Sequence, residues 1–185
     1  MSAIRLLQAE RHEDIQHLHR QLMTGGLLQK ELLEEAEGYL IQKGIYDVTL
    51  IEECDFREYK KLLIDSGRYT RQSAVERSSA LRKNQRYWVE QEYGELLAEI
   101  KECQVSDAPL KGNIQRFLIR QGIHHIKDID YTTRSRYEAE LQKTGNEQRV
   151  MKYLKVFDHI KQYSIQSEIS SLPGDLTFLK KQNTS

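Results

Sequence analysis

The chain has 185 residues, 38% of them apolar and 30% charged, with two prolines and a formal net charge of zero. That length admits one compact domain or two small ones of roughly 70 residues each, and no run of about 18 uncharged apolar residues is present to cross a bilayer. Charges recur too often between Met1 and Arg20 for the core of a signal peptide, and Cys54 and Cys103 have no partner at metal-ligand spacing, so the sequence predicts a cytoplasmic protein with no membrane association and no cofactor.

In chain order, an N-terminal helix is expected over residues 3–22, closed by the Thr24-Gly25-Gly26 turn. Leu32, Leu33, Ala36, Tyr39 and Leu40 then follow the i, i+3, i+4, i+7 stripe of an amphipathic helix, which Gly44 stops. A helix at about 53–66 offers Phe56, Tyr59, Leu62 and Leu63 to a core and ends at Gly67. The next helix is long. It starts near Thr70, carries Val75, Ser78, Leu81, Gln85 and Trp88 on one face, and continues with a bend or break near Gly94 through Leu96, Leu97 and Ile100. Val105 to Pro109 reads as a turn, with Pro109 suited to the first position of the following helix. That helix places Ile114, Phe117 and Leu118 on one face and stops at Gly122. Thr132 or Thr133 can cap another, in which Tyr137 and Leu141 point inward before Gly145. The last helix, about 146–166, carries Val150, Tyr153, Leu154, Phe157 and Ile160, and Ser170-Ser171-Leu172-Pro173-Gly174 breaks the pattern.

The pattern is internally repeated. A shift of 78 residues superposes Tyr39-Leu40-Ile41-Gln42-Lys43-Gly44-Ile45 on Phe117-Leu118-Ile119-Arg120-Gln121-Gly122-Ile123. It also matches Val48 to Ile126, Tyr59 to Tyr137, Leu63 to Leu141, Gly67 to Gly145 and Arg71 to Arg149. The expected architecture is all-α: two tandem small helical bundles and an additional N-terminal helix. The corresponding division is 1–30 for the N-terminal helix and turn, 31–104 and 105–170 for the two bundles, and 171–185 for a linker or tail.

The second copy, with Phe117 to Ile123, then Ile126-Lys127-Asp128-Ile129-Asp130, Tyr137, Leu141 and Gly145, resembles the core-binding (SAM-like) domain of tyrosine recombinases and phage integrases. The resemblance covers residues 110–166 well and 37–93 more loosely, because Glu52-Glu53-Cys54-Asp55 blurs the Ile-Asp segment of the first copy. It implies binding of double-stranded DNA in recombination and integration, without catalysis. In that family the nucleophilic Tyr and its Arg, Lys and His partners lie in a separate α/β domain, which this chain does not supply. His17-Leu18-His19-Arg20 spells H-x-x-R but lies upstream of both copies, in the first helix.

Charge is distributed in blocks. Residues 56–90 hold 9 Lys/Arg against 4 Asp/Glu, and residues 111–166 hold 11 against 6, so each carries +5. Residues 1–55, with 5 against 11, and 91–110, with 1 against 5, are acidic. The basic blocks contain the helices on which the resemblance places DNA contacts. Phosphate neutralisation needs a series of cations, and the candidates are Arg68, Arg71, Arg77, Arg82, Lys83 and Arg86 in the first copy. In the second they are Arg134, Arg136, Arg149, Lys152 and Lys155, with Lys143 and Lys161 in the same block. Asn84, Gln85, Asn146 and Gln148 are weaker candidates for base contacts. The N-terminal helix could serve self-association. The rival expectation is a helical protein-interaction module in which basic residues pair with Glu31, Glu34, Glu95 and Glu99. His12, His17 and His19 read as a solvated face, while His124 and His125 read as loop residues facing solvent or a phosphate.

Overall fold

A computed structural model describes residues 3–24 and 30–171, all of whose regular structure is helical, with no strand. The Gly25-Gly26 part of the first expected turn and the tail beyond Ser171 lie outside the described residues. The chain divides into two compact units, Met1–Glu92 and Tyr93–Ser185.

The first unit contains α1 (Ala3–Met23), α2 (Lys30–Lys43), a 3-10 turn (Val48–Leu50), α3 (Glu53–Asp65) and the first part of α4 (Arg71–Glu102). Its core joins Leu18 and Leu22 of α1 to Ala36 and Leu40 of α2, Val48, Phe56, Tyr59 and Leu63, and Ala74 and Leu81 of α4. Each fully buried Leu stabilises the unit by about 1.5–3 kcal/mol. α1 is therefore a wall of this core and not an addition to it. α2 ends in a Schellman turn: Gly44, at φ +72, donates to the Ile41 carbonyl and Ile45 to that of Leu40. A side chain at that φ would be strained, which is why glycine stops the helix there.

Two stripe assignments are corrected. Leu62 is 47% exposed, because the buried line of α3 runs through Phe56, Tyr59 and Leu63 and leaves Leu62 on its flank. Val75 is 39% exposed, because the buried line of α4 starts at Ala74 and continues through Ser78 and Leu81; one residue of helix is about 100° of rotation.

The second unit contains the end of α4 from Tyr93, α5 (Ala108–Arg120), a 3-10 turn (Ile126–Asp128), α6 (Tyr131–Thr144) and α7 (Glu147–Ser171). Phe117, Tyr137 and Phe157 cluster at its centre, with ring centroids 4.7 Å apart for Phe117–Tyr137 and 4.9 Å for Tyr137–Phe157. Asp107 caps α5 by accepting from the Leu110 N–H at 3.1 Å, which puts Pro109 one residue inside the helix. Asp130 caps α6: its carboxylate accepts from both the N–H and the hydroxyl of Thr133 at 2.6 Å. The expected threonine cap is corrected, since Thr133 is the donor and the stronger, charged acceptor lies three residues earlier.

Position by position the two units use the same roles. Gly122 (φ +66) and Ile123 repeat the Schellman turn onto Ile119 and Leu118, and Val48/Ile126, Tyr59/Tyr137 and Leu63/Leu141 are buried pairs. The same shift extends further back than the sequence comparison reached. Leu18 corresponds to Leu96 and Leu22 to Ile100, all fully buried, so α1 has its counterpart in the end of α4. The repeat thus contains four helices.

Its register changes after the last glycine. Thr70 accepts from the Ser73 N–H at 3.1 Å and Asn146 from that of Arg149 at 2.9 Å, so the final helices correspond with a shift of 76. Ala74/Val150, Ser78/Leu154 and Leu81/Phe157 are then equivalent and buried. Arg71 matches Glu147, and the expected pairing of Arg71 with Arg149 is not a structural equivalence. The units meet inside α4, at Tyr93, whose backbone leaves the helical region (φ −121, ψ 17), rather than at the 104/105 turn.

Candidate nucleic-acid interface

The nominated cations fall into two groups. Arg77 and Arg82 on α4 are half-buried and internally engaged. Arg77 donates to Glu35 at 2.9 Å and lies 4.1 Å above the Tyr69 ring. Arg82 makes a two-pronged pair with Glu53 and lies 4.4 Å above Phe56, and the Glu53 hydrogen bond holds its guanidinium more firmly protonated. Their forks are committed to carboxylates of the same unit. By contrast, Arg68, Arg71, Lys83 and Arg86 are exposed and have no carboxylate partner among the described residues.

The second unit shows the same split with fewer free members. Arg134 donates to Asp158 at 2.7 and 2.9 Å and to Glu138 at 3.2 Å. Lys152 reaches Asp107 at 2.9 Å, which, together with the Leu110 N–H, holds the Asp107 carboxyl below the usual carboxylate range. Arg136 donates to the Gln121 side chain at 3.2 Å, and Arg149 lies 5.3 Å above the Tyr153 ring. Lys155 is exposed. Exposed ion pairs of this kind stabilise by about 0–1 kcal/mol each, so their main effect on the surface is to cancel charge.

The acidic partners are Glu35, Glu53, Asp107, Glu138 and Asp158, and each belongs to the same unit as its cation. Glu95 and Glu99 face His125 instead, at 3.3 and 3.2 Å, which corrects the expectation of a solvent-facing imidazole. His124 stacks on Tyr93 with ring centroids 4.6 Å apart. In the first unit His19 pairs with Glu37 at 3.1 Å, while His12 and His17 are exposed. The Glu31 side chain lies outside the described residues.

Two base-contact candidates are engaged within the first unit. Asn84 is fully buried and donates to the Gln21 and Thr24 carbonyls. Gln85 donates to the Ile51 carbonyl. Asn146 serves as the α7 cap, and Gln148 is exposed. Exposed Val75 and Ser79 stand among the cations of α4 and were missed, because valine reads as core wherever it approaches an apolar stripe.

Tyr59 and Tyr137 are core residues, and burial raises both phenol pKa values well above the ordinary range. Burial likewise pushes the Cys103 thiol up to about 11, whereas Cys54 is exposed. Among the described residues no group of His, Cys, Asp and Glu could hold a metal ion, and no helix is long and apolar enough to cross a membrane. Comparison with protein-family models, with curated proteins and with solved structures returned no match for this chain.

Proposed function

We propose that the chain is a non-catalytic DNA-binding module that holds duplex DNA through exposed cations of its basic helices. This is the role that the core-binding domain plays in the tyrosine recombinases it resembles. The carrying observation is that Arg68, Arg71, Lys83 and Arg86 project unpaired from one end and one helix of the first unit while Arg77 and Arg82 are tied inward. Unpaired, exposed cations in series are what phosphate neutralisation requires; ion-paired ones contribute little counterion release. The cytoplasmic location expected from the sequence is part of the same proposal. α1 spends its apolar stripe on the first core through Leu18 and Leu22, so self-association would use its polar outer face.

Fluorescence anisotropy with a mixed-sequence duplex tests the reading. We expect log K against log[salt] to fall with a slope of about −4 or steeper, equivalent to four or more neutralised phosphates. Absent binding, or binding that ignores salt, would instead support a protein-interaction module. That second reading is favoured by Tyr131 and Met151 of the second unit, which are 77% and 63% exposed.

A further inference from the structure

We infer that the duplex-facing ridge belongs to the first unit alone, on α4, and that the second unit does not grip DNA as an equivalent copy. The inference rests on the DNA-binding reading above and divides its surface between the two repeats. The fourth helices correspond with a shift of 76 residues, as their caps and buried lines show. In that register the side of α4 carrying Arg71, Val75, Ser79, Arg82 and Arg86 matches the side of α7 carrying Glu147, Met151, Lys155, Asp158 and Gln162. The exposure of Val75 and Met151, at 39% and 63%, supports that match independently.

The chemistry of the two sides is unlike. On α4 the side holds three arginines and no acid, and because Arg82 is paired with Glu53 its free cations are Arg71 and Arg86, with small Val75 and Ser79 between them; on α7 the matching side holds one lysine and two acids. Arg71 and Arg86 stand fifteen residues apart, about 22 Å along the helix, a span suited to several phosphates of a groove wall rather than to a compact anion. Arginine also supplies the forked donor geometry that fits phosphates and guanine edges. Gly67 is followed by Arg68, and no counterpart of that residue exists in the shorter turn between Gly145 and α7. Glu76 lies further round α4, whereas Glu90 stands one turn beyond Arg86 and bounds the C-terminal end of the ridge.

Apart from Lys155, the α7 cations are placed elsewhere. Lys152 and Arg149 lie about 100° and 160° round the helix from the position of the α4 ridge, and Lys152 is already bound to Asp107. Asp158, at the position of Arg82, is taken up by Arg134. The fourth helix thus keeps its fold in both copies, while the outer side that presents two free arginines on α4 presents a balanced Glu147 and Lys155 on α7.

The test uses the full chain and a fluorescein-labelled mixed-sequence duplex at several salt concentrations, with circular dichroism confirming that each variant is folded. Arg71→Gln with Arg86→Gln is expected to flatten the log–log salt slope by about 2, the loss of two phosphate contacts, and to weaken binding at least about tenfold at low salt. Arg71→Lys with Arg86→Lys should keep the slope, because the charge remains. Arg149→Gln with Lys155→Gln should leave the slope unchanged. If the α7 pair flattens the slope as much as the α4 pair, the inference fails and the DNA-binding reading stands. If the unmodified chain shows no salt-dependent binding, that reading fails and the inference falls with it.

Discussion

In the first unit the side-chain carbonyl of Gln21 accepts from the buried Val48 N–H at 2.9 Å, while its amide donates to Asp47 at 3.1 Å. In the second unit the carboxylate of Glu99 accepts from the corresponding Ile126 N–H at 2.7 Å and meets His125, the counterpart of Asp47, at 3.2 Å. The first residue of each 3-10 turn presents an N–H that helix geometry leaves without a partner, and burial makes an acceptor obligatory. The two units fill that requirement with an amide–carboxylate pair and with a carboxylate–imidazole pair. The backbone demand is invariant; the side-chain charges are interchangeable only as a matched set.

The largest expected effect tests whether the comparison includes α1 at all. Leu18→Ala and Leu96→Ala, at equivalent fully buried positions, should each destabilise by about 2–5 kcal/mol in urea unfolding. A cost under about 1 kcal/mol for Leu18→Ala would make α1 an appendage and reduce the repeat to three helices.

The matched set can be exchanged directly. His125→Asp alone places a carboxylate against Glu95 and Glu99, so it should destabilise the second unit. Adding Glu99→Gln recreates the chemistry of Gln21 and Asp47 and should recover part of the loss, with a coupling of about 0.5–3 kcal/mol. Strictly additive effects would show that the two positions do not act together.

The smallest effect separates the two core tyrosines. The Tyr137 hydroxyl donates to Asn113 at 2.7 Å, whereas the buried Tyr59 hydroxyl has no hydrogen-bond partner among the described residues. Glu35, which occupies the position of Asn113, is engaged by Tyr69 and Arg77. Tyr137→Phe should therefore cost about 0.5–1.5 kcal/mol, while Tyr59→Phe should be neutral or stabilising in the same unfolding measurement. Equal costs would erase this difference between the units.

Most of the fold was legible because glycine and apolar spacing are local signals. Gly44, Gly67 and Gly122 do end or follow helices at positive φ, and the break expected near Gly94 falls at Tyr93. The fourth expected stop, Gly145, is favoured for a different reason: its φ is −117, and a Cβ there would meet the Leu141 carbonyl oxygen at 3.1 Å. The counterpart of α1 was not legible, since Leu18/Leu22 and Leu96/Ile100 are pairs that any amphipathic helix could carry. The change of register was hidden by an accidental Arg71–Arg149 match on either side of turns of unequal length. At the surface, the number of cations could be counted, but not which were spoken for. Arg77 finds Glu35 across 42 positions and Arg134 finds Asp158 across 24, separations that no spacing rule anticipates.

The departure of Tyr93 from helical backbone has a practical consequence for anyone dividing the molecule. The proline-bearing turn before α5 is the inviting place to truncate, yet scissors applied there would carry Leu96 and Ile100 away with the wrong half. The C-terminal piece would begin at α5, short of one wall of its core, and the N-terminal piece would end in a helical overhang with an apolar stripe and nothing of its own repeat to cover it. Severing the peptide bond between Glu92 and Tyr93 instead gives each fragment its full complement of four helices, so the natural seam of this duplicated chain lies within what looks, by hydrogen bonding, like one continuous helix.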